Sequence, residues 1–103
     1  MSVYRATTPK FTFTFDIDPD ATFKTILITF KQGKKIVLEK KKTDLTFDDK
    51  SASFSLTQEE TNLFDTRKWI SIQVRALTTE DEAVAFKTIR ITANDVLNDV
   101  VLT

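Results

Sequence analysis

Phe11-Thr12-Phe13-Thr14-Phe15-Asp16-Ile17 alternates large apolar and polar residues without a break. Successive side chains of a strand point to opposite faces, so Phe11, Phe13, Phe15 and Ile17 form one row. Thr12, Thr14 and Asp16 form the other. The stretch predicts a half-buried strand with an aromatic inner face. Asp18-Pro19-Asp20 ends it, because Pro19 has no N–H for a ladder and Asp favours turns. Upstream, residues 1–9 are short and polar and end in Thr7-Thr8-Pro9, which reads as an N-terminal arm.

Downstream, the same period recurs. Phe23 to Gln32 carries Ile26, Ile28 and Phe30 in one row and Phe23, Thr25, Leu27 and Thr29 in the other. With apolar residues in both rows, it predicts a central strand or a packed outer face. Gly33 is the only glycine; it belongs where φ must be positive, in a hairpin turn. The return strand, Lys35 to Lys42, places Ile36 and Leu38 inward. Leu45 and Phe47 mark a short strand, Asp48-Asp49-Lys50 a turn, and Ser53 to Thr57 a further strand with Phe54 and Leu56 inward. Thr57 followed three residues later by Glu60 is a capping-box pattern, predicting helical turns over 58–64. Trp69 to Leu77 alternates Ile70, Ile72, Val74 and Ala76 with Ser71, Gln73 and Arg75. Ala83 to Thr92 changes phase between Phe86 and Ile89, which predicts a bulge near Lys87-Thr88. The tail, Ala93 to Thr103, is open to a short helix or an edge strand. About seven closely spaced strands with one short helical turn imply an all-β antiparallel sandwich, a single domain over 10–103.

Composition removes many chemistries. The chain has no Cys and no His, which excludes thiol catalysis, Ser–His triads and Cys/His metal centres. One glycine cannot build a phosphate-binding loop. Fifteen basic against fifteen acidic residues give zero formal charge, which argues against nucleic acid as a partner. No apolar run has a membrane-spanning length, so no membrane partner is expected. Met1 to Ala6 lacks the apolar region of a signal peptide, so synthesis in the cytoplasm without export is expected.

The remaining candidates are surface features. Asp16, Asp18 and Asp20 have the spacing of a calcium loop, but Ala21 and Leu27 stand where that loop needs Gly and Glu. Turn-favouring residues at a strand end account for them better. Lys31, Lys34, Lys35, Lys40, Lys41 and Lys42 suit hairpin ends and a protected sheet edge better than a phosphate site. Glu59 and Glu60 diverge by about 100° on a helical turn, which leaves Glu60 as a cap rather than half of a catalytic pair. No catalytic, metal or cofactor residues are assigned. Trp69 lies opposite the inner row, with Gln73 and Arg75, and Leu27 can join them from a neighbouring strand. Trp and Arg suit an interface hot spot, so these four form a candidate partner surface. The other reading has Trp69 covering one end of the sandwich.

Leu56-Thr57-Gln58-Glu59-Glu60-Thr61-Asn62-Leu63-Phe64 resembles the helical corner between strands E and F of immunoglobulin-like domains. With no core disulfide, that likeness is architectural. The wider pattern resembles small prophage-encoded proteins of Gram-positive bacteria. It rests on the Phe-rich first strand, the Ile28-Thr29-Phe30-Lys31-Gln32-Gly33 hairpin and the corner just quoted. Ile72-Gln73-Val74-Arg75-Ala76-Leu77-Thr78 and the Asp95-Val96-Leu97 tail complete it. It is also similar to the N-terminal sandwich of phage baseplate proteins. The resemblance implies a non-enzymatic structural or adaptor protein of a phage tail or baseplate. Virion association, protein partners or self-association, and no catalytic residues follow from it. The alternative is a binding module for a host-surface protein or carbohydrate, with Trp69 and Tyr4 as the aromatics available to a sugar.

Overall fold

The computed structural model describes residues 2–103. Among the described residues nine strands are formed: β1 (Ser2–Tyr4), β2 (Lys10–Thr14), β3 (Phe23–Gln32), β4 (Lys35–Lys41), β5 (Thr46–Asp48), β6 (Ser51–Ser55), β7 (Ile70–Thr78), β8 (Ala83–Ala85) and β9 (Ile89–Asn94). Single helical turns, α1 (Pro19–Thr22) and α2 (Gln58–Thr61), interrupt them. The strands make two layers. The larger sheet runs β1-β9-β7-β3-β4, with β8 also on β7; the smaller runs β2-β6-β5. The expected sandwich is present, with two strands more than the pattern predicted, and β1 pairs with β9 in parallel.

The core is the set of inner rows. Ile26, Ile28 and Phe30 of β3 and Ile70, Ile72, Val74 and Ala76 of β7 are buried beneath Phe11 of β2 and Phe54 of β6. Phe30, fully buried, has Phe11 5.6 Å away edge-on, Phe54 at 6.0 Å edge-on and Phe64 at 6.0 Å tilted. Such edge-to-face rings add to the area they remove from water. Gly33 has φ +59°, and Gln32 pairs with Lys35 across it. Positive φ falls on the first central residue only, a type II′ turn that suits strand twist.

Several sequence expectations are corrected, each by a local break in alternation. The stretch expected as an N-terminal arm is in part a strand: Ser2–Tyr4 join the large sheet and Val3 is buried, while Met1 lies outside the described residues. Ile17 is exposed, because β2 ends at Thr14 and the chain turns into α1, capped by Asp18. A register shift between Phe23 and Thr25 turns Phe23 into the core. A second shift at Phe30/Lys31 puts Val37 and Leu38 against the core and leaves Ile36 exposed. The helical stretch expected over 58–64 closes at Thr61. The predicted last strand is two strands, β8 and β9, split at 86–88 rather than bulged. Beyond Asn94 the tail is neither helix nor strand.

Phe30→Ala should cost about 3–5 kcal/mol in denaturant unfolding, because four rings meet at one buried point. Ile36→Thr, on the exposed face of β4, should stay within about 0.5 kcal/mol of the parent.

Candidate functional site

The residues expected to form a partner surface do share the outer face of the large sheet. Leu27 pairs directly with Arg75, and Thr29 with Gln73. Arg75 is exposed and Leu27 half-buried. Gln73 is already engaged, its amide donating to the Phe86 carbonyl at 3.1 Å. Trp69 is half exposed, but lies six residues from Arg75, roughly 20 Å along an extended chain. The Arg90 guanidinium stacks 4.8 Å from the Trp69 ring centre. Leu27, Gln73 and Arg75 therefore make one patch, and Trp69, with Arg90, makes another. Tyr4, on β1, is exposed and alternates with buried Val3, which places it on the same outer face.

The charged candidates have structural partners. The Asp18 carboxylate accepts from the Asp20 and Ala21 N–H groups, and Asp20 faces Lys42 at 3.3 Å. Among the described residues no three Asp, Glu, His or Cys side chains converge as a metal site would need. Lys42 also donates to the Asp20 and Phe23 carbonyls. Lys40 meets the Glu60 carboxylate at 2.8 Å. Glu60 completes the capping box, accepting from the Thr57 N–H at 2.9 Å while Thr57 Oγ1 accepts from the Glu60 N–H at 3.1 Å. Burial pushes the Glu60 carboxyl up, but the bonds from Lys40 and Thr57 outweigh it and hold it below its ordinary value. Gln32 is buried and fully used: it donates to the Asp65 and Lys68 carbonyls and accepts from the Asp65 N–H. In that loop Arg67 hydrogen-bonds the Asp65 carboxylate and brings its pKa down to about 2.

The feature that alternation along single strands did not reveal is a groove. β2 is one of the two edge strands of the small sheet. Phe15 donates to Lys50 and Leu56 to Pro9, so odd-numbered residues of β2 bond inward to β6. By antiparallel alternation the N–H and C=O groups of Thr12 and Thr14 face the open edge. Beside that edge lies a cavity of about 780 Å³, lined by Phe13, Phe15, Ile72, Val74, Phe86 and Ile89, with Asp16 and Lys87 at its margin. A smaller hollow of about 140 Å³ shares Phe13, Ile72 and Ile89 with it and extends to Lys10, Phe11 and Ile91. The phase change between Phe86 and Ile89 was its one trace in the sequence.

No family model and no curated protein matches the chain. Solved structures do. The immunoglobulin-like domain of mouse leukocyte-associated immunoglobulin-like receptor 1, a strand-swapped dimer, superposes at TM-score 0.51 and 8% identity. That match covers 90% of this chain and 85% of that one. The extracellular domain of the voltage-gated sodium channel β4 subunit is similar at TM-score 0.42 and 13% identity, covering 94% and 91%. The V domain of amphioxus IgVJ-C2 is similar at TM-score 0.37 and 9% identity, covering 91% and 99%. The fold is an immunoglobulin-like β-sandwich. Domains of this architecture carry a four-stranded A-B-E-D sheet. Here β2, β6 and β5 stand for B, E and D, and the groove lies on the side of β2 where A would run. Among the described residues no helix is long and apolar enough to cross a membrane.

Lys40→Met should raise the pH at which Glu60 titrates, followed by carboxyl-carbon NMR. Because the folded-state value is lowered, the stabilisation from Glu60 is present at neutral pH and is lost as pH falls through that value. The same substitution should cost no more than about 1 kcal/mol at neutral pH.

Proposed function

We propose that this chain is a non-enzymatic association module, a structural or adaptor protein of a phage or prophage particle, acting at the tail or baseplate. The observation that carries the association reading is the apolar groove beside the unpaired edge of β2. Its chemistry suits an extended peptide: backbone groups of Thr12 and Thr14 to continue a ladder, and aromatic and branched side chains to receive apolar ones. The phage assignment rests on the sequence resemblance through the hairpin, corner and tail motifs. Protein partners follow from the same groove, and the strand-swapped receptor domain illustrates how this architecture can exchange edge segments.

A second reading, recognition of a host-surface carbohydrate, is favoured by Tyr4 and Trp69, both half exposed on the outer face of the large sheet. Exposed rings on one face can stack against a sugar. Binding on a glycan array, lost in Trp69→Ala, would support it over the association reading.

Mass spectrometry of particles purified after inducing the source strain tests the main reading. The protein should appear at a fixed copy number relative to the tail proteins. Expression in the cells together with absence from the particles would overturn the virion assignment.

A further inference from the structure

One molecule carries both an apolar groove that nothing fills and an apolar segment that little covers. The segment is Asp95-Val96-Leu97-Asn98-Asp99-Val100-Val101-Leu102-Thr103. Leu97 is fully exposed, and Val100 and Leu102 are 63% and 75% exposed. It rests at the α2 end of the sandwich on a few polar ties: Gln58 exchanges two hydrogen bonds with Leu102, Asn62 donates to the Asp99 carbonyl, and Arg5 pairs with Asp95 and Asp99. Such surface ties are weak. The seat is also imperfect, since Arg5 Nε and Asn62 Oδ1 are buried there without partners.

Resting on the association reading above, we infer that the groove beside β2 receives residues 95–103 of a second copy of this chain as an added strand. Extended, the segment places Val96, Asn98, Val100 and Leu102 on one face and Leu97 and Val101 on the other; the three apolar residues of the first face match the apolar lining from Phe11 to Phe15 and from Ile72 to Ile89. Length suffices: β2 runs Lys10–Thr14, roughly 17 Å of extended edge, and the nine tail residues span roughly 30 Å, so about five of them can pair along it. Charge agrees as well. The segment carries Asp95 and Asp99 and no cation, while Lys10 and Lys87 flank the groove against the single acid Asp16. Thr12 and Thr14 supply the ladder. Each molecule then has one donor and one acceptor, so association closes as a reciprocal dimer or a ring, or propagates as a chain.

Size-exclusion chromatography with light scattering across a concentration series tests this on the 103-residue chain. Wild type should rise above the 11.8 kDa monomer mass with concentration. The double variant Val100→Asp with Leu102→Asp removes the donor; Thr14→Pro blocks the acceptor by deleting one outward N–H. If Thr14→Pro loses its folded circular dichroism, Ile89→Lys, at an exposed groove position, replaces it. Each variant alone should remain at monomer mass, and an equal mixture of the two should form a species of twice that mass. Wild type that stays monomeric throughout overturns the tail proposal, and the particle measurement above judges the association reading separately. Association of the Val100/Leu102 variant equal to wild type, abolished by Thr14→Pro, also overturns the tail as occupant but keeps the groove as the site.

Discussion

Phe30 is where the two sheets are held. It sits on the inner face of β3, the strand flanked by β4 and β7 within the large sheet, and touches Phe11 and Phe54 of the small sheet and Phe64 beyond α2. A chain without disulfides needs such a centre, because burial of apolar area is its main source of stability. Phe11 and Phe54 stack at 5.3 Å and pair directly across β2 and β6. One ring thus tethers a cross-strand pair, and that pair sets the register of the small sheet.

Around this centre, polar side chains fix the connections. Thr57, Glu60 and Lys40 tie the α2 corner to the edge of the large sheet. Gln32 secures the 65–68 loop, which leads into β7. Thr61, buried, joins the β1–β2 crossing to α2 through Thr7. Gln32 and Thr61 are removed from water with partners in place, so burial of their polar atoms does not cost the fold.

The unequal layers explain the groove. A three-stranded sheet cannot cover the whole inner face of the larger one, so Phe86 and Ile89 stay partly exposed beside β2, above buried Ile72 and Val74. β1 pairs with β9 only at Thr92–Asn94, so it covers the far end and leaves the Ile89 end open. An uncovered apolar flank next to free backbone groups is a position that sandwich proteins either fill with a strand or offer to another chain.

Local periodicity by itself determined the strands from β2 to β7, the Gly33 turn, the Thr57–Glu60 cap and the Ile26–Phe30 and Ile70–Ala76 inner rows. Each depends only on a residue's neighbours along the chain: alternation for strands, φ freedom for Gly33, a three-residue reach for the cap. Leu27, Gln73 and Arg75 share one face for the same reason. Only the tertiary structure decided that Val3 closes the sheet in parallel and that Phe23 and Val37 turn inward. It also separated Trp69 from Arg75 and left the flank of β2 open. These outcomes turn on register shifts and on which strands lie side by side. A single-residue shift reverses every face beyond it, and no stretch of sequence records how many strands the opposing sheet holds.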